Sequence, residues 1–171
     1  MKTSAKCLLF VLAALMVQGA NLARAGGTVV AWGYNYFGQT NVHPELTNVV
    51  EIAAGDDFSA ALQDSGPVKV WGNLPATAGL SNALAIAGGG LFCLALHVDG
   101  TVLSCGIYYN GSTSVPMVAP SGLSNVVSIA AGHDHGLAVR ADGTVLAWGG
   151  NDYGLRTLRL RGPNARLRET C

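Results

Sequence analysis

At 171 residues the chain has room for one ordinary domain with appendages. Half of it is hydrophobic, only 12% is charged, and it holds 23 glycines, a composition that suits short strands joined by tight turns rather than long helices. The net charge of zero hides an uneven distribution: residues 1–25 carry +3, residues 26–154 carry −7 and residues 155–171 carry +4. So acidic a body repels phosphate, which argues against nucleic acid as a partner.

In chain order, the first element is a leader. "MKTSAK" is a short positive segment, "CLLFVLAALMV" an apolar run of 11 residues, and "ARA" (Ala23–Ala25) has the A-x-A form of a cleavage site. That layout is expected to be a secretory signal peptide over 1–25, too short and wrongly flanked for a spanning helix. Further on, no apolar run is long enough to span a bilayer, so no membrane span is expected once the leader is removed.

An internal repeat follows. "GTVVAWG" at Gly27–Gly33 is a partial copy, and a connector of 12 residues, Tyr34–Glu45, leads into three ungapped copies of 27 residues each: 46–72, 80–106 and 123–149. The connectors between them are Asn73–Gly79 and Ile107–Gly122. Each copy opens on L-[ST]-N and a β-branched run ending in small residues, which suits a place where backbones approach closely. An alternating run comes next (Phe58, Ala60, Leu62; Phe92, Leu94, Leu96; His135, Leu137, Val139), the period of a half-buried strand. Asp64-Ser65-Gly66, Asp99-Gly100 and Asp142-Gly143 then supply hairpin turns, and "PVKVWG", "TVLSCG" and "TVLAWG" supply the returning strands.

The hairpin register bears on Cys93 and Cys105, the cysteine pair inside the body. A two-residue Asp99-Gly100 turn sets Leu94 opposite Cys105, whereas a three-residue loop with Gly100 as the bulge sets Cys93 opposite Cys105. Both hairpins are common.

The recurring "NVVxIAAG", "LAL" or "LAV", "DGTVxAWG" and N-x-x-G-Q (Asn35–Gln39) resemble the regulator of chromosome condensation repeat family, in its bacterial secreted form, over Gly27–Gly154. The resemblance implies an all-β fold, a β-propeller whose blades are four-stranded sheets around a central axis. Successive W-G or C-G sites lie 39, 34 and 43 residues apart, so the expectation is a partial propeller of about three blades. A full ring of seven needs roughly twice these residues, and three blades leave two blade faces uncovered, through which copies could self-associate. After Gly154 the repeat stops: residues 155–171 hold five arginines where the preceding 129 hold one, and read as a non-repeat basic tail, either out of frame, solvated, or a basic functional segment.

Chemistry is sparse. His133 and His135 in "AGHDHG" are the one cluster with metal-ligand character, expected on one side of an extended strand with Asp134 opposite. They lack a third ligand, and the equivalent positions (Asp56 and Phe58; Gly90 and Phe92) do not repeat them, so no metal site is assigned. Neither a nucleophile motif nor a phosphate loop appears, and no catalytic residue or cofactor is assigned. The candidate binding residues are connector aromatics: Tyr34, Tyr36 and Phe37 in one connector, Tyr108 and Tyr109 in another, which a rigid sheet would present at one rim. The leading expectation is a secreted, non-enzymatic repeat scaffold that binds an unknown protein or surface ligand. The alternatives are a metal-dependent or hydrolytic exported enzyme subunit using His133 and His135, and a truncated product without function.

Overall fold

The computed structural model describes residues 26–74 and 80–151. The leader over 1–25 and the basic tail over 155–171 lie outside the described residues.

Among the described residues ten strands form three antiparallel sheets, one per repeat. The first holds β1 (Val49–Ala54), β2 (Phe58–Gln63) and β3 (Val68–Gly72); the second holds β4 (Ala83–Gly88), β5 (Phe92–His97), β6 (Val102–Tyr109) and β7 (Ser114–Pro116); the third holds β8 (Val126–Ala131), β9 (His135–Arg140) and β10 (Val145–Gly149). The fourth strand expected of a propeller blade thus appears only in the second sheet among the described residues. There the long connector folds back, and β7 pairs with Ile107–Tyr109.

All three hairpins take the three-residue form. In the second, the His97 N–H donates to the Thr101 carbonyl (2.9 Å) and the Gly100 N–H to the His97 carbonyl (3.0 Å). The same pairs recur at Gln63/Pro67 and Arg140/Thr144. Gly66, Gly100 and Gly143 sit at φ 98, 76 and 81, the left-handed bulge that this loop requires and glycine adopts without strain. Of the two registers open from the sequence, the structure has Cys93 opposite Cys105.

The sheets stack face to face. Phe58, Ala60 and Leu62 of the first pack on Cys93, Ala95 and Cys105 of the second. On its other face the second sheet sets Phe92, Leu94 and Leu96 against Ala138, Leu146 and Trp148 of the third. The alternating pattern suggests strands buried on one face only, but β5 is buried on both, because a sheet lies on each side of it. Burying Phe92, Leu94 and Leu96 contributes roughly 1.5–3 kcal/mol each.

Backbone bonds clamp the stack at both ends. At the hairpin end the Ala83 N–H donates to the Gly66 carbonyl (3.1 Å) and the Val126 N–H to the Gly100 carbonyl (3.0 Å), so Gly66 and Gly100 each dock on the start of the next repeat. Asn48, Asn82 and Asn125 hold positive φ there (51, 55 and 55), which explains the recurring Asn, since it tolerates the left-handed region better than most residues. At the opposite end the Asp56 N–H donates to the Gly90 carbonyl (3.0 Å), and the Gly90 N–H to the His133 carbonyl (2.9 Å). The small residues read as close-approach positions are such: a Cβ on Gly88 would lie 2.6 Å from the Ala54 carbonyl oxygen of the neighbouring sheet. Among the described residues no helix is long and apolar enough to cross a membrane.

Candidate binding rim

The loops β1–β2, β4–β5 and β8–β9 lie at the end of the sheets where the connectors leave the third strand of each repeat. There the Asn73 N–H bonds the Asp57 carbonyl, the Ile107 N–H the Leu91 carbonyl, and the Gly150 N–H the Asp134 carbonyl. This end is the candidate rim.

Its first part is aromatic. The connector after Gly33 turns back on itself through the Gly38 N–H to Asn35 carbonyl bond (3.2 Å) and the Asn35 side chain, which accepts from Thr40 N–H (2.8 Å). That fold presents Tyr34 (68% exposed), Tyr36 (77%) and Phe37 (41%) together. The Tyr34 and Tyr36 rings stack at 6.3 Å between centroids, and Tyr36 meets Phe37 edge-on at 4.9 Å. Beside them Trp32 is 84% exposed, although its counterparts Trp71 and Trp148 are buried. Trp71 donates its indole N–H to the Gln39 carbonyl (2.8 Å). Trp32 counted in the sequence only as a repeat marker; among the described residues "GTVVAWG" forms no strand and meets its neighbour only at the Gly27–Val49 bridge, which leaves the indole exposed. Trp32 and Tyr34 line an apolar groove of about 540 Å³ with Val29, Ile52, Phe58 and Asp56.

The second pair of aromatics is placed differently from the expectation. Tyr108 and Tyr109 are the end of β6 and pair with Val115 and Ser114, so they belong to a sheet and not to a free loop. The connector was long enough to fold back and satisfy its own backbone groups. Tyr108 packs on the core between the second and third sheets, and Tyr109 remains exposed.

Between the two aromatic groups runs a charged line. His133 Nε2 lies 2.9 Å from Asp56 of the first repeat, and its Nδ1 lies 2.7 Å from its neighbour Asp134. Asp134 in turn accepts from the Tyr109 N–H (3.3 Å). The Asp134 carboxylate raises the His133 pKa above its ordinary value; partial burial opposes this and Asp56 adds to it. The ring also closes over Gly90, whose would-be Cβ lies 3.0 Å from it, so His133 ties the first and third repeats across the second.

This corrects the extended-strand reading of "AGHDHG". β9 begins at His135, and His133 and Asp134 precede it in a bend. Asp134 is therefore bonded to His133 rather than opposed to it. His135 stands where Phe58 and Phe92 stand, its ring over Gly132 as theirs lie over Gly55 and Gly89. Its Nδ1 is buried without a partner. Both His133 nitrogens are engaged by carboxylates, and among the described residues no group of three or more His, Cys, Asp or Glu is arranged to hold a metal ion.

Residues 126–155 match the family model of the regulator of chromosome condensation (RCC1) repeat. No curated protein matches the chain. Among solved structures, it resembles the CRINKLY WD40 ectodomain of the Arabidopsis thaliana receptor kinase ACR4 at 24% identity and a TM-score of 0.58, over 72% of this chain and 44% of that one. The ectodomain of the Physcomitrella patens receptor kinase CR4 is similar at 24% identity and 0.52, over 77% of this chain and 36% of that one. Human WBSCR16 is similar at 26% and 0.50, over 68% and 35%. The chain thus spans less than half the length of each of these structures. Three stacked antiparallel sheets, one per sequence repeat, give the chain the fold of part of a β-propeller, and the family match is to residues 126–155, in its third repeat.

Proposed function

We propose that this chain is an exported, non-enzymatic propeller scaffold that binds a protein partner at the aromatic rim. The observation that carries it is the cluster of Trp32, Tyr34, Tyr36 and Phe37, exposed together beside the apolar groove. Aromatic side chains anchor interfaces because each buries a large area while fixing few rotatable bonds, and a grouped patch points to binding where single exposed apolar residues do not. Their loop is braced by the Asn35–Asn41 side-chain bond (2.8 Å), so little ordering is needed on association.

The test places a photo-crosslinking residue at position 36 of the full chain, expressed in a host that exports it, with position 109 as the comparison. A defined protein adduct at 36, lost in the Trp32→Ala/Tyr34→Ala variant, is expected. Adducts that persist in that variant, or form only from position 109, refute the aromatic rim. For export, the product in the medium is expected to begin at Gly26, and retention of residues 1–25 on the exported protein would sink that part. A stoichiometric metal in the purified protein would count against the non-enzymatic reading.

Self-association is a second reading, favoured by the outer blade faces. Leu137 and Val139, on the side of β9 away from Ala138, repeat the positions of Ala60 and Leu62, which the next blade covers. Ile52 is exposed on the opposite side of the stack. Sedimentation equilibrium decides it: a monomer at all concentrations removes this reading and leaves the rim proposal intact.

A further inference from the structure

Cys93 and Cys105 are cross-strand partners in the second blade, both nearly inaccessible and both on the face that packs against the first blade. Their register belongs to the hydrogen-bonded class. His97 bonds Thr101 and Ile107 bonds Leu91, so every second pair between them, including 93 with 105, exchanges backbone bonds. Such pairs hold their Cα atoms about 5.5 Å apart, within the range that a disulfide spans.

The other repeats give the pair a context. At the same register the first blade sets Ser59 opposite Trp71, and the third sets Gly136 opposite Trp148, a small residue making room for an indole. A Cβ on Gly136 would lie 2.7 Å from the Trp148 ring. In the second blade both members differ at once, small residue and tryptophan alike, and both are cysteine. One substitution alone would set a thiol against an indole; the two together make a pair of sulfurs. Both thiols are free in this structure. The neighbouring thiol lowers the Cys105 pKa and, with burial, raises that of Cys93, so Cys105 is the readier thiolate.

We propose that Cys93 and Cys105 are a redox pair that closes into a cross-strand disulfide within the second blade by exchange with an external disulfide. The Cys105 thiolate attacks one sulfur of the oxidant, forming a mixed disulfide and releasing one thiolate. Cys93 then loses its proton, attacks the Cys105 sulfur and expels the second thiolate. Two electrons pass to the oxidant and two protons leave, so one external disulfide becomes two thiols. Because the first blade covers the pair, the oxidant reaches it when that blade has not yet docked or has opened.

The experiment uses the full chain, incubated with oxidised glutathione both in the folded state and during refolding from denaturant. Free thiols are then alkylated, and the protein is cleaved before aspartates without reductant. Cleavage at Asp99 separates fragments 64–98 and 99–133, which hold Cys93 and Cys105 respectively. The expected result is a single linked species, unalkylated, that falls into the two fragments on reduction, formed faster during refolding than in the folded protein. Recovery of two separate alkylated fragments from both incubations overturns the proposal, as does linkage of either cysteine to Cys7 or Cys171. Wild-type mapping needs no variant that could fail to fold.

Discussion

Gly88→Ala tests whether the blades are held by close backbone approach. Gly88 ends β4, and its φ is not in the left-handed region. In an open strand, alanine there would stabilise by about 0.4–1 kcal/mol, because it reduces the freedom of the unfolded chain. In this stack the new Cβ would lie 2.6 Å from the Ala54 carbonyl oxygen, 3.0 Å from its carbon and 3.2 Å from its nitrogen, against 3.4–4 Å for ordinary contact. The obstacle is backbone within a paired strand, so relief requires the first blade to shift. Overpacking of this kind costs roughly 1–3 kcal/mol, so with a chain-entropy gain of about 0.5 kcal/mol the net loss is roughly 0.5–2.5 kcal/mol. With a urea slope of about 2 kcal/mol/M the unfolding midpoint should fall by roughly 0.3–1.3 M. Amide exchange should quicken in β1 and β4, whose strands must separate. Gly143→Ala is the control: nothing lies within 4 Å of its Cβ, but its φ is 81. It should cost roughly 1–2 kcal/mol through conformation alone and leave exchange in β1 unchanged. A Gly88→Ala protein as stable as the parent, or more so, would refute the close-approach argument.

Other expectations follow from the same structure. Because the His133 pKa is raised on folding, its ion pairs stabilise below the ordinary histidine value and the contribution fades as pH rises through the raised one. His133 is 65% exposed, so the effect is at most about 1 kcal/mol; Asp56→Asn should flatten the pH dependence of urea unfolding in that window, and an unchanged slope would show the pair to be idle. Trp71→Phe removes a bond to the Gln39 carbonyl, whereas Trp148→Phe removes a buried indole N–H that has no partner. Beyond the shared loss of ring area, thermal unfolding should show Trp71→Phe the more destabilising, by about 1 kcal/mol, and the reverse order would contradict the bonding pattern. Phe92→Ala empties a fully buried site between two blades and should cost roughly 3–5 kcal/mol in urea unfolding; a loss under 1 kcal/mol would mean that the second and third blades do not share a core.

The repeat itself, its strands and its hairpin turns are legible in the sequence because they depend on local chemistry. Alternation, Asp-Gly turns and ungapped recurrence act within one copy of 27 residues, and the three sheets appear where the copies do. What depends on neighbouring copies was decided by the tertiary structure. The burial of β5 on both faces comes from a sheet on each side, and the docking of Gly66 and Gly100 on Ala83 and Val126 is a contact between successive copies. The hairpin register was left between two turns of similar local cost, and the three-residue loop that brings Cys93 to Cys105 is the one found in every blade. The candidate rim divides in the same way. Tyr34, Tyr36 and Phe37 stand exposed on their connector as read, whereas Tyr108 and Tyr109 were drawn into β6 because their longer connector pairs with itself. His133 was judged from its sequence neighbours, but its partner Asp56 is 77 residues away. A side chain's partners across a stack of blades follow from the contact between sheets, and that contact has no local signature in the chain.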